Sequence, residues 1–163
     1  MNNLASIVSK LVSLSDIIEI RNSLRKEGKK VVFSNGCFDI IHRGHVEYLS
    51  KAKDCGDILI IGLNSDSSIK NIKGPERPLQ DEYTRSLVMA SLQFVDYVVL
   101  FDEDTPIKLI SKIIPDVLVK GADYKVEQIV GADVVLKSGG EVKTIELTQG
   151  HSTTNIINKM LHN

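Results

Sequence analysis

Residues 31–45 read VVFSNGCFDIIHRGH, and their interpretation decides the fold. Val31-Val32-Phe33 has the β-branched and aromatic composition of a short strand, and Asn35-Gly36 ends it. Residues 44–55 then place Val46, Leu49 and Lys53 at helical spacing, with Gly56 as a stop. A strand that runs straight into a helix leaves free backbone N–H groups and the positive end of a helix dipole at the junction, a ready anion site. His42 and His45 stand three apart there, so an opening helical turn points both the same way, and Gly44 leaves room for a phosphate near the backbone. Two such imidazoles can donate to phosphate oxygens and to charge that builds at phosphorus. The competing reading is a pair of surface or metal-binding histidines. Zinc would want a third or fourth ligand, and Cys37 and Cys55 form no supporting pair.

Outward from this stretch, strand and helix signals alternate. Residues 57–64 are a continuous apolar run, the mark of a strand covered on both faces. A loop over 73–79, a helix over 80–94 and a strand over 96–101 follow. Next come a helix over 105–114 with Pro106 in its first turn, a strand over 116–120 and a helical stretch over 127–138. A strand over 141–147 and a helix over 152–161 close the chain. Upstream, residues 1–29 read as helix, with Asp16 and Glu19 as the cap and Ile17, Ile20 and Leu24 as the apolar face. The expectation is an α/β fold: one domain over 1–163, with 1–29 as an N-terminal helical extension and 30–163 as the core. That core is a mostly parallel sheet with helices on both faces. Ligands of such sheets bind beyond the carboxyl ends of the strands.

Composition narrows the function classes. With 163 residues, 42% hydrophobic and 25% charged, the chain is an ordinary globular sequence that needs no metal or disulfide staple. Twenty basic residues against 21 acidic ones give a net charge of −1, so no basic field points to a nucleic-acid partner. The longest apolar run, Ile58-Leu59-Ile60-Ile61, is far too short for a bilayer span, and residues 1–12 lack the pattern of a secretion signal. Two unpaired cysteines fit a reduced, cytoplasmic compartment and read as packing residues.

Several further stretches carry polar chemistry. Ser152-Thr153-Thr154 stands before the last helix; one hydroxyl suffices for a cap, and three suit a polyphosphate. Residues 70–77 (KNIKGPER) read as a basic loop, with Lys73 and Arg77 either folding over phosphate or merely solvated. Arg85 either clamps a phosphate or pairs with Asp81 one helical turn earlier. Lys120-Gly121-Ala122-Asp123-Tyr124 is a strand end with Lys120 in reach of phosphate, or a plain turn. Asp39 and Asp66 can bind a sugar hydroxyl, hold magnesium through water, or cap a helix. No GxGxxG follows the first strand, which argues against a dinucleotide-dependent oxidoreductase.

Taken together, N-G-C-F-D-x-x-H-x-G-H at 35–45, G-x-N-S-D at 62–66, K-G-P-x-R-P at 73–78, V-D-Y-V-V-x-F at 95–101, D-V-L-V-K-G-x-D-Y at 116–124 and G-x-S-T-T at 150–154 stand in order. This set resembles the H-x-G-H nucleotidyltransferase superfamily and, within it, the D-glycero-β-D-manno-heptose 1-phosphate adenylyltransferases. The resemblance implies a Rossmann-like fold and transfer of AMP from ATP, accompanied by Mg²⁺, to a heptose 1-phosphate. It assigns His42, His45, Lys73 and Arg77 to catalysis. It assigns Asn35, Gly36, Cys37, Phe38, Gly44, Lys120, Gly121, Asp123, Ser152, Thr153 and Thr154 to the nucleotide, and Asp39, Asn64, Asp66 and Arg85 to the acceptor. Ile41, Arg43 and His151 fall at positions that vary among the relatives and receive no role. No dedicated protein metal site is expected. A homodimer and a separate heptose kinase are further implications, because bifunctional relatives carry a kinase domain ahead of this one. The rival readings are a cytidylyltransferase for glycerol 3-phosphate and a non-catalytic nucleotide-binding module.

Overall fold

The computed structural model describes residues 2–148 and 150–161. Strands β1 (Val31–Gly36), β2 (Ile58–Asn64), β3 (Tyr97–Phe101), β4 (Val117–Gly121) and β5 (Glu141–Ile145) form one sheet in the order β3-β2-β1-β4-β5. Every pairing is parallel, with Val31 opposite Ile58 and Val32 opposite Val117. Side chains alternate across a strand, so Val31 and Phe33 join Ile60, Val99 and Leu118 on one face, while Val32 joins Leu59, Ile61, Val117 and Val119 on the other. Helices α2 (Leu14–Lys26), α6 (Ile107–Ile113) and α7 (Ala132–Lys137) cover the first face. Helices α3 (Arg43–Lys53) and α5 (Glu82–Ser91) cover the second, with α1 (Asn3–Val8) against α5. Burying both faces explains the unbroken apolar runs of the central strands.

From β1 the chain moves to β2 on one side and later returns to β4 on the other. A crevice therefore opens between the carboxyl ends of β1 and β4, the switch point at which such sheets bind ligands.

The structure departs from the sequence reading in four places. Residues 1–29 hold two helices, because residues 10–12 leave the helix to pair with the edge of β3, Val12 N–H donating to Val98 O at 3.1 Å. Ser13 caps α2, and Asp16 closes the box from inside the helix; the shorter hydroxyl reaches the Asp16 amide from an extended backbone. Residues 66–73 form α4 (Asp66–Lys73), capped by Ser65 and stopped by Gly74 at φ +95°, where the sequence places a loop from residue 70. The stretch 127–138 breaks at left-handed Gly131, where α7 begins.

Helix α2 is also part of the core. Ile17 and Leu24 are buried in it, and the buried Arg21 donates to the carbonyls of Ile113 and Ile114 and pairs with Asp116 at 2.8 Å. The boundary at residue 30 thus marks a change of element rather than of packing unit.

Candidate active site

His42 is the residue that opens α3. Its backbone is extended (φ −141°, ψ 171°), its carbonyl accepts from the His45 and Val46 amides, and its ring makes no capping bond. The ring is thereby free to stack on His45, with centroids 3.8 Å apart and planes 23° from parallel. Phe38 braces the far side of His45, edge-on at 5.2 Å. Phe38 reaches that place from a left-handed backbone (φ +45°), and its ring folds over Gly36, where a Cβ would lie 3.0 Å away. A Cβ on Gly44 would lie 3.2 Å from the His42 ring and 3.3 Å from the His151 Cβ. Close packing of the two histidine-bearing segments, not the approach of a phosphate, is the constraint visible at Gly44.

Burial is the main cause that pushes His45 down to about 4, with His42 beside it adding to the effect. Burial and then His151 lower His42 as well. Both rings are therefore neutral at pH 7, and the Nδ1 atom of each is buried without a hydrogen-bond partner among the described residues.

These rings face a cleft of about 490 Å³. The end of β1 contributes Asn35 and Gly36, the loop after it Cys37, Phe38 and Asp39, and the start of α3 contributes Gly44 and His45 with the capping position His42. Asn64 closes one wall at the end of β2, with Lys73 and Arg77 beside it. Lys120, Gly121 and Asp123 come from the end of β4; Ser152, Thr153 and Thr154 stand at the start of α8 (Thr153–Leu161). Ser152 Oγ accepts from the Asn155 amide at 3.1 Å and so supplies the helix cap, while the Thr153 hydroxyl donates to Ile40 O at 3.5 Å. Burial pushes the Cys37 thiol up, which keeps it protonated and unreactive.

Two candidates lie away from the cleft, and a third is already engaged. Arg85 is fully buried and does not pair with Asp81, which caps α5. Its guanidinium donates to the carbonyls of Gln80, Cys37 and Asn64 and pairs with Asp66 at 2.7 Å, tying together the ends of β1 and β2. Neither Arg85 nor Asp66, both expected at the acceptor, lines the cleft; their ion pair lies behind it. Asp39 does line it, but it accepts from the Leu79 and Gln80 amides and from Arg77 at 2.8 Å. Burial alone would raise this carboxyl; the two amides and the guanidinium outweigh burial and hold it below the usual carboxylate range. The loop after α4 is thus knotted to Asp39, and Arg77 enters the cleft already paired.

Tyr48 and Thr148, on which the sequence reading is silent, line the cleft, as does His151, to which that reading gives no role. Tyr48 Oη donates to Val119 O at 3.0 Å and meets Ser34 Oγ at 2.9 Å, pinning α3 to β1 and β4. A polar-tipped residue three after His45, on the inward face of the helix, was the available signal. The Thr148 hydroxyl donates to Glu47 and fastens the segment before α8; nothing local in the sequence announces that bond.

The comparisons with known proteins agree with this geometry. The cytidylyltransferase-like family matches residues 33–159. The bifunctional protein HldE of Syntrophotalea carbinolica is 54% identical over 149 residues, 91% of this chain and 30% of that protein. HldE of Campylobacter concisus is 53% identical over 156 residues, 96% of this chain and 32% of that protein. The chain therefore spans about a third of the length of these curated relatives. A crystal structure of a lipopolysaccharide core biosynthesis protein from Thermoplasma volcanium superposes with a TM-score of 0.61 at 29% identity, over 76% of this chain and 100% of that one. By the family match, the all-parallel sheet and the paired histidines above the β1–β4 crevice, the chain belongs to the cytidylyltransferase-like family of nucleotidyltransferases.

Proposed function

We propose that this chain transfers the adenylyl group of ATP to a heptose 1-phosphate, D-glycero-β-D-manno-heptose 1-phosphate, releasing pyrophosphate and forming ADP-heptose. One observation carries the reading: His42 and His45, stacked and neutral, share a single cleft with Ser152, Thr153 and Thr154 at the start of a second helix. A phosphate monoester has a second pKa near 6 and is already largely dianionic at pH 7, so attack on the α-phosphorus needs no general base. What the reaction lacks is relief of charge on the α-phosphate and the leaving pyrophosphate. His42 and His45 donate to the former. Thr153, Thr154 and the free amides of α8 hold the β- and γ-phosphates, and Lys73 and Arg77 flank them. Asn35 through Phe38, with Gly121 and Asp123, form the nucleotide wall. Asn64 and the knot around Asp39 bound the acceptor side.

Among the described residues no three His, Cys, Asp or Glu side chains come together to hold a metal. Asp104 and Asp123 line the cleft singly, while Asp39 is tied to its loop. This suits magnesium that arrives on the triphosphate with most of its water, where it neutralises phosphate charge. The description of the Thermoplasma protein supports a place in lipopolysaccharide core biosynthesis. The substrate must come from a kinase that phosphorylates the anomeric hydroxyl. A cytoplasmic setting and a homodimer belong to the same reading; among the described residues no helix is long and apolar enough to cross a membrane.

The family description favours one second reading, cytidylyl transfer to glycerol 3-phosphate. Pyrophosphate release with magnesium, crossing ATP and CTP against the heptose phosphate and glycerol 3-phosphate, separates the two. Turnover restricted to ATP with the heptose phosphate is the expected result. Turnover restricted to CTP with glycerol phosphate replaces it with the second reading.

A further inference from the structure

We propose that His151 is a third imidazole donor of the transfer reaction, acting on the oxygen that bridges the α- and β-phosphates as pyrophosphate leaves. The inference rests on the nucleotidyl-transfer reading of the cleft and adds a catalytic residue to it.

The geometry places His151 at the seam between the two helix starts. It lines the cleft with His42, and it stands between Gly150, left-handed at φ +76°, and Ser152, the cap of α8. Across the seam lies Gly44, in the first turn of α3. The Cβ that Gly44 lacks would sit 3.2 Å from the His42 ring and 3.3 Å from the His151 Cβ. The missing side chain thus lets the root of His151 pack against the turn that carries His42 and His45. After burial, His151 is the second cause that disfavours a proton on His42, as its nearness to that ring requires. The stacked rings of α3, 3.8 Å apart, serve the α-phosphate in this reading, and Thr153 and Thr154 serve the β- and γ-phosphates. A residue seated between the two sets faces the bond that joins those phosphates.

The chemistry suits that place. An oxygen of the acceptor phosphate forms a bond to the α-phosphorus as the bond from that phosphorus to the bridging oxygen breaks. The electron pair stays on the bridging oxygen, which departs as a terminal oxygen of pyrophosphate. Charge therefore grows at a position distinct from the α-phosphate oxygens that His42 and His45 reach. An imidazole carries at least one N–H in either protonation state, so His151 donates a hydrogen bond to the departing oxygen and keeps its proton. The side chain is exposed at the rim, and it meets this partner once a triphosphate lies along the cleft.

The test is a series of leaving groups. Single-turnover rates are measured with magnesium, heptose 1-phosphate and one of three nucleotides: ATP, β,γ-difluoromethylene-ATP or β,γ-methylene-ATP. Of the three leaving groups the methylene bisphosphonate is the most basic and the difluoromethylene one the least, so losing a donor at the departing oxygen costs most with the former. His151→Ala should slow ATP turnover about 10- to 100-fold, change nucleotide affinity less than about threefold, and steepen the dependence on leaving-group basicity. His151→Gln keeps a neutral N–H donor and should recover the rate to within about fivefold, together with the shallower dependence of the parent. Both variants should melt with the parent, since the position is exposed. A loss of the same factor with all three nucleotides, a loss confined to nucleotide affinity, or a His151→Gln variant as slow as His151→Ala overturns the inference and leaves the nucleotidyl-transfer reading standing. Failure of the parent to release pyrophosphate or bisphosphonate from any of the three overturns that reading and the inference together.

Discussion

Two helix starts face the cleft, and the molecule holds them in opposite ways. α3 arrives from inside the core: Leu49 and Ala52 are fully buried, and the Tyr48 hydroxyl is bonded to β1 and β4. α8 lies on the outside, with Met160 71% exposed. It is attached by a Thr153 hydroxyl bond to Ile40 O at 3.5 Å and, upstream, by Thr148 on Glu47. The contrast matches the two tasks. Donors aimed at charge that exists only in the transition state work when their geometry is set in advance. A cradle for a flexible polyphosphate can be built from a segment of low local stability that settles on its ligand.

The sharpest way to break the comparison is to loosen the embedded half. Arg85→Ala removes the donor shared by the carbonyls of Cys37, Asn64 and Gln80 and strands Asp66. Loss of about 3–5 kcal/mol is expected, read by urea denaturation; a loss under about 1 kcal/mol would show that the ends of β1 and β2 hold without it.

Next in size, His42→Ala and His45→Ala should each lower kcat by about 100-fold or more with the KM for ATP changed far less. Parallel losses in both constants would make the histidines ground-state anchors instead. His45 also carries a pH signature. Its folded value, about 4, lies below the unfolded value near 6.5, so the fold favours the neutral ring. That contribution is complete above about pH 6.5 and is lost as the pH falls towards 4. His45→Asn should flatten the fall in melting temperature across that window.

The smallest effect belongs to the tether. Thr148→Val cuts the link between the α8 segment and Glu47. The KM for the nucleotide should rise about two- to fivefold with the melting temperature unchanged within about 1 °C, the pattern of one lost peripheral hydrogen bond. A drop of several degrees would mean that α8 is as integral to the fold as α3.

What could be read in advance followed a physical rule. His42 and His45 were legible because their relation is local: three positions apart on one helix turn at the end of a run that can only be a buried strand. The Ser152-Thr153-Thr154 run was legible for the same reason. Arg85, Asp39 and Asp66 were not, because most of their partners are backbone groups and charges that the fold carries in from 19 to 48 residues away. A charged side chain among motif residues looks the same whether it faces a ligand or ties up strand ends. The missed helix over 66–73 is a weaker version of the same problem, since its cap, Ser65, is one short hydroxyl among several.

By itself, then, the sequence determined the all-important local events: which segments alternate between strand and helix, and where two imidazoles and three hydroxyls meet helix starts. Hydrophobic period and capping chemistry act over a few residues and leave their mark in the order of the letters. Tertiary structure alone decided that Arg85 lies outside the cleft and ties β1 to β2, that Asp39 holds a loop, and that Lys120 meets the carbonyl of Asn35. Those outcomes depend on desolvation and on which carbonyl or carboxylate lies within 3 Å, and neither is written along the chain.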